Sequence, residues 1–399
     1  MSASVDLEFA ILSANNVVSS SQVALADVSA SAETDVFNQD NSSPNVEEIV
    51  GSDVSMSDNS TIAQATANSA SAGNILALGN DGTANMNQTG LVGNLQATDA
   101  AAVSASVDQE IELSLTGDGF PPVVASSLSL DGNSSTALAR SNVATNTLTV
   151  DGANIDAGDG GDAVFDEEDI LVASYVLGSI QENGAAVTAT TTQSRVVVDM
   201  SDAGGSGGVV LGSTVSLSGN ASSATALANT AVNSVSVGAN AANVDASTAL
   251  GNTQFNSGDV TATGGSAVLV DVFSGTAGFA PIGIDGSTVM VSENASASNA
   301  VGNQAQNTLT VAGANIVSGS LASATVDSTG PADDNQANAG NLILNAQENE
   351  GVITSANNAN VVGIDSDVVD GLTAGTGAAA SGSTLGVTGN VTEARATAN

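Results

Sequence analysis

The side chains that could bind or react are most densely grouped in DAGDGGDAVFDEED (156–169), where Asp156, Asp159, Asp162, Asp166 and Asp169 alternate with Gly and Ala. Calcium takes about six to eight oxygen ligands from a sharply turning backbone, and Gly supplies such turns. The segment is therefore a candidate calcium loop, set against the plainer reading of a solvated acidic loop. It follows neither the EF-hand spacing nor the repeated nonapeptide of calcium-binding β-rolls. The neighbouring carboxylates Asp166 and Glu168 are too close in sequence to suggest a glycosidase pair, and aromatic residues that stack sugars are only 2% of the chain.

The residues that are missing bound the chemistry further. The 399 residues include no His, Cys, Trp or Lys, and the basic side chains are Arg140, Arg195 and Arg395. Without imidazole, thiolate or amine there is no Ser–His–Asp triad, no cysteine nucleophile and no Schiff base. The strings GDGGD and GGSGG (204–208) lack the Lys of a phosphate-binding loop. An enzyme is not expected. The 42 acidic residues give a formal charge of −39, so nothing neutralises nucleic-acid phosphates or an anionic lipid surface. No apolar run approaches the ~18 residues of a membrane helix, so no membrane insertion is expected. The N-terminal stretch lacks the basic end and apolar centre of a standard signal peptide. Charged residues are nevertheless only 11% and apolar ones 42%, which is a folding composition rather than a disordered acidic one.

What must carry these residues is a repeat. Five segments share one pattern: SDVSMSDNSTIAQATAN (52–68), SSLSLDGNSSTALARSN (126–142), STVSLSGNASSATALAN (213–229), STVMVSENASASNAVGN (287–303) and STLGVTGNVTEARATAN (383–399). Each centres on an Asn (Asn59, Asn133, Asn220, Asn294, Asn390) and carries a second Asn nine residues on (Asn68, Asn142, Asn229, Asn303, Asn399). With their extensions the motifs span 52–80, 126–154, 213–240, 287–315 and 383–399. The intervals Asn59–Asn220 and Asn133–Asn294 are both 161 residues, which predicts a two-module super-repeat. Some of the repeated Asn head N-x-S/T sequons, a by-product of Ser- and Thr-rich composition.

Inside each repeat the apolar period is two. Val215, Leu217, Leu148, Val150, Leu309 and Val311 alternate with Ser or Thr, as in half-buried strands. Gly, Asn and Asp punctuate the strands with turn chemistry. The reading is all-β: a repetitive β-solenoid or stacked β-modules in which equivalent Asn form a ladder, with tandem β-sandwich domains as the alternative. Residues 1–45 are read as an N-terminal β arm and 46–399 as four and a half modules.

The fifth copy breaks off at Asn399, where the others continue into a further strand. This predicts an open edge around Leu385, Val387, Asn390 and Asn399 that could template another chain. The amphipathic segment bearing Val5, Leu7, Phe9 and Ile11 is a candidate donor strand for a neighbouring copy. Such a heterologous contact builds a ring or an open polymer.

The pattern SxVSxSGNxxxAxAxxN…NTLTVxGAN resembles the β-strand-repeat surface proteins of Gram-negative bacteria. It is similar to curlin-type repeats in its Asn ladder, without their Gln positions, and in composition it resembles the subunits of spinae, tubular appendages of marine bacteria, and acidic S-layer proteins. The resemblance covers about residues 50–399 and implies an extracellular, cell-surface location, bulk export and self-assembly. The expected function is thus a structural homo-oligomer forming a filament or tubular appendage. A calcium-held S-layer lattice and an adhesin or ice-binding solenoid are the alternatives.

Overall fold

A computed structural model describes residues 11–39, 49–77, 85–99, 101–114, 122–157, 163–166, 169–199, 209–238, 241–271, 284–316, 324–328, 336–358, 360–365 and 382–399. Every regular element among them is a β-strand. The chain winds through six sheets in a fixed order and then returns to the first, one strand higher in the stack. Sheet I holds Asn16–Ala24, Gly90–Thr98, Tyr175–Asn183, Thr248–Asn256 and Asn341–Asn349. Sheet II begins with Val28–Gln39, Ala102–Ser114 and Ala186–Asp199 and continues in shorter strands. Sheet III is short, and sheet IV holds Asp53–Ser55, Ser127–Ser129, Thr214–Ser218, Thr288–Ser292 and Thr384–Thr388. Sheet V carries the longest strands: Ser60–Ala77, Ser134–Asp151, Ala221–Val237, Ala295–Val311 and Val391–Thr397. Sheet VI is a short closing sheet that includes Asn154–Asp156 and Asn243–Asp245.

Within these six sheets every pairing is parallel and joins one coil to the next. That is a β-solenoid, and it excludes tandem sandwiches, whose strands pair within each module and antiparallel. The repeats align without offset, so that Asn68, Asn142, Asn229 and Asn303 occupy one column. The first coil opens at Asn16–Ala24 and Val28–Gln39. Much of the segment 1–45 expected as a separate arm is therefore part of the stack.

The corners explain the turn residues. Between sheets III and IV one column reads Gly51, Ala125, Gly212, Gly286 and Gly382, all with positive φ. Between sheets IV and V the column Asp58, Gly132, Gly219, Glu293 and Gly389 does the same. Past the first coil, each is followed by a residue whose side chain accepts a backbone N–H of the coil before it: Ser126, Ser213, Ser287 and Ser383 at one corner, the central Asn at the other. A left-handed corner residue followed by a laddered polar one is the physical content of the DGN and SGN motifs.

Alternation buries one face of the long strands of sheets II and V, while Gly90–Thr98 and Tyr175–Asn183 of sheet I are buried on both. Where sheet V crosses sheet II the interior is thin, Ala63, Ala137, Ala139, Ala224 and Ala226 meeting Val103, Val107, Val187 and Val260. Larger residues fill the two ends of the coil: Leu128, Leu130, Leu217 and Ile111 at one, Leu148, Leu177, Leu250 and Tyr175 at the other.

A seventh sheet lies outside sheet I. It is antiparallel, in the order Ile11–Ser13, Ala163–Asp166, Asp169–Ala173, Ala324–Ser328 and Gln336–Ala339. Ile11–Ser13 precedes the first coil, and the other four strands form two hairpins inserted between sheets VI and I in alternate coils, which is why coil lengths run 74, 87, 74 and 96. Strands in a sheet sit ~4.8 Å apart in either layer. One two-stranded hairpin therefore advances by as much as two coils, and the five outer strands lie against the four strands of sheet I from Gly90–Thr98 to Asn341–Asn349. Leu12, Phe165 and Leu171 seat on Gly93, Gly178 and Gly251 of sheet I, where a Cβ would collide or crowd. The 161-residue super-repeat is the spacing of these hairpins.

Candidate functional site: the two end edges of the stack

Amide columns run through the stack, five of them prominent; a shorter one, Asn154, Asn243 and Asn315, lies in sheet VI. In the first of the five, Asn59 Nδ2 donates to Asn133 Oδ1 at 2.9 Å, Asn133 to Asn220 at 2.9 Å, Asn220 to Asn294 at 3.0 Å and Asn294 to Asn390 at 2.9 Å. Each acceptor oxygen also takes the backbone N–H of the preceding Asn. An amide flip would set N–H against N–H, so the backbone fixes which end of each amide is which. A second column, Asn68, Asn142, Asn229, Asn303 and Asn399, donates in the same direction at 2.8 to 3.0 Å. Its orientation is fixed by Nδ2 bonds to the carbonyls of Ala97, Glu182, Phe255 and Glu348. Asn146, Asn233 and Asn307 form a third, and Asn183, Asn256 and Asn349 a fourth.

The fifth column is glutamine, and it runs the other way. Gln96 Nε2 donates to Gln22 Oε1, Gln181 to Gln96, Gln254 to Gln181 and Gln347 to Gln254, at 2.6 to 2.9 Å. The second Nε2 hydrogen goes to a sheet V carbonyl: Ser69, Val143, Thr230 or Gln304. This Gln ladder is absent from the expectations drawn from the sequence. The signal was present in GNLQ (93–96), GSIQ (178–181), GNTQ (251–254) and LNAQ (344–347), four residues at matching coil positions.

The ladders end on open edges. In one sheet IV column Leu128, Val215 and Val289 are 0% exposed, while Leu385 on the last coil is 44% exposed; in the next column the buried Leu130, Leu217 and Val291 give way to Val387 at 48%. On the first coil Val17, Val23, Phe37, Ile62 and Ile75 are exposed. Asn390 keeps a bond to the Val291 carbonyl and accepts from Asn294. Its N–H and second Nδ2 hydrogen have no acceptor among the described residues, and Asn59 Oδ1 has no donor. Gln347 Oε1 and the second Nε2 hydrogen of Gln22 stand in the complementary position at opposite ends.

The other expected sites are dispersed or lie elsewhere. Val5, Leu7 and Phe9 fall outside the described residues. Ile11 pairs antiparallel with Asp166 of its own chain. Of the candidate calcium ligands, Asp159 and Asp162 lie outside the described residues. Asp156 ends a sheet VI strand beside Asp245, while Asp166 ends and Asp169 begins the two facing strands of the outer hairpin. Among the described residues no three acidic side chains converge on a metal position.

Charge is concentrated on the outer face of sheet II. Arg195 bonds Glu110 at 2.6 Å and also Glu112. Burial works to lower its pKa, but the two carboxylates outweigh that and raise it. Asp108 is raised above the usual carboxylate range by burial, then by the charges of Asp35 and Glu110. Compared with family models, with curated proteins and with solved structures, the chain matches none.

Proposed function

We propose that the protein is a structural subunit that assembles with copies of itself, end to end, into an extracellular filament or tubular appendage. The observation that carries this reading is that, among the described residues, the edges of the first and last coils are unpaired. Solenoids that act alone cover their terminal rungs with a polar cap, and a bare parallel edge with exposed apolar side chains templates further strands. Here Leu385 and Val387 are side chains of the interior left open at one end. The surface is acidic enough to oppose lateral clumping through like charge, while contact along the stack hides mainly uncharged residues. The resemblance to β-strand-repeat surface proteins points to the cell exterior.

Negative-stain microscopy and sedimentation of the purified chain test the reading. Filaments or tubes one coil-stack wide are expected, forming more readily as ionic strength rises and screens the charge. Flat lattices that need calcium would replace it with a surface-layer role. Monomers persisting at high concentration and high salt, with and without calcium, would overturn it.

A further inference from the structure

We propose that the joint between subunits is the coil stack itself continued: the last coil of one copy receives the first coil of the next copy in parallel, head to tail and in the register already used inside the chain. This rests on the reading above and specifies its contact.

The amide ladders require the polarity. Along the Asn59 and Asn68 columns donors face the C-terminal coil, and along the Gln column they face the N-terminal coil. At a head-to-tail joint Asn390 presents N–H groups to Asn59 Oδ1 of the next copy, and Gln22 of that copy presents N–H to Gln347 Oε1. Two first coils, or two last coils, brought face to face by a two-fold axis would break the column register, because a column meets itself only on the axis. The heterologous joint continues the Asn and Gln columns together, donor to acceptor.

The side-chain columns require the register. Each column keeps its character through the chain, so the next coil sets Leu385 on Val54, Val387 on Met56, Ile353 on Val28 and Ala394 on Ala63. The same register puts Glu393 on Ile62, Arg395 on Gln64, Glu348 on Val23 and Val361 on Asp35. No acidic side chain of these paired strands falls on another, in a chain of net charge −39. A shift by one residue would set Leu385 and Val387 against the outward-facing Asp53 and Ser55 positions instead of the Val54 and Met56 columns.

The chain has no Cys, so introduced thiols report contacts cleanly. Register partners on parallel strands lie ~4.8 Å apart at Cα, inside the disulfide range. Ile62→Cys and Glu393→Cys are both on the exposed outer face of sheet V. The double variant, mildly oxidised, is expected to give a denaturant-resistant series of dimers, trimers and longer chains. Mixing the two single variants should stop at the dimer, and each single variant alone should stay uncrosslinked. Gln64→Cys with Glu393→Cys, one column out of register, should not crosslink.

Crosslinking of either single variant to itself, or equal crosslinking by the offset pair, would overturn the joint proposed here. Filaments by microscopy without the 62–393 crosslink would overturn it too, while leaving the filament reading standing. No polymer of any kind would remove both. Asn390→Asp supplies a second readout: it keeps the acceptor for Asn294, removes the outward side-chain donor while leaving the backbone N–H, and costs the chain the bond to Val291. An about tenfold rise in the concentration needed for assembly is expected of a monomer that still melts cooperatively, that factor matching one lost hydrogen bond. An unchanged assembly threshold would count against the ladder's role.

Discussion

Gly178 lies directly beneath the ring of Phe165, so closely that a Cβ on it would sit 2.7 Å from three ring atoms. The outer hairpin can lie on sheet I only because this position has no side chain. Gly178→Val is expected to lift the hairpin or displace the ring and to cost about 2 kcal/mol, the usual scale of overpacking. Urea denaturation of the monomer measures it. Gly363, with open space around its Cβ position, is the control: Gly363→Ala should leave the midpoint within about 0.5 kcal/mol.

Ala72 interrupts a ladder. It occupies the first-coil position of the column Asn146, Asn233 and Asn307, and Asn146 Oδ1 is buried without a donor. Ala72→Asn supplies that donor, as Asn146 does for Asn233 at 2.8 Å. A gain of about 1 kcal/mol is expected, the net worth of a hydrogen bond that also relieves a buried unpaired acceptor. A thermal melt with no rise in midpoint would contradict it.

Ala125 has φ of +50° in a corner column whose other members are Gly51, Gly212, Gly286 and Gly382. The left-handed region costs a residue with a Cβ about 1–2 kcal/mol, and glycine gives back about half through unfolded-state entropy. Ala125→Gly should therefore stabilise the fold by about 0.5–1 kcal/mol, read as a shift in denaturation midpoint with an unchanged slope.

Asp108 gives a pH dependence. Its pKa is raised in the folded chain, by burial first and by Asp35 and Glu110 after it, so the folded state holds this proton more tightly than the unfolded state. Its contribution favours folding at low pH and is lost as pH rises through the folded value. Asp108→Asn is accordingly expected to be more stable than the parent at pH 7. The difference should close as pH falls toward the ordinary carboxylate range of about 4. A difference independent of pH would assign the effect to packing.

The fold was legible where residue type is dictated by geometry at every coil. Val215 and Leu217 alternate because one face is buried, and Gly219 precedes Asn220 because that corner needs positive φ before a laddered amide. The 161-residue period was legible as a number, but its cause was not: Phe165 lies in the segment read as an acidic loop and Leu171 just beyond it, and their role shows only when Gly178 and Gly251 are seen beneath them. The Gln column escaped notice because Gln22, Gln96, Gln181, Gln254 and Gln347 sit outside the conspicuous Asn motif, in segments of otherwise weak similarity. The acidic segment misled in another way. Asp156 and Asp166 are close in sequence, yet the path from sheet VI to the outer hairpin puts them in different sheets. Sequence proximity says little about convergence once a chain changes layer.

The matching of one hairpin to two coils also limits how such a chain can change length. Removing a single 74-residue turn would keep every inner sheet in register but leave the outer layer with two strands for one rung, forcing a hairpin off its glycine seats. Removing 161 residues takes away two turns and one hairpin together, and both layers close again over the gap. Lengthening obeys the same arithmetic. The smallest heritable step in the size of this protein is a doublet of turns, fixed by the equal spacing of strands in two layers that share no hydrogen bond across their ~10 Å separation.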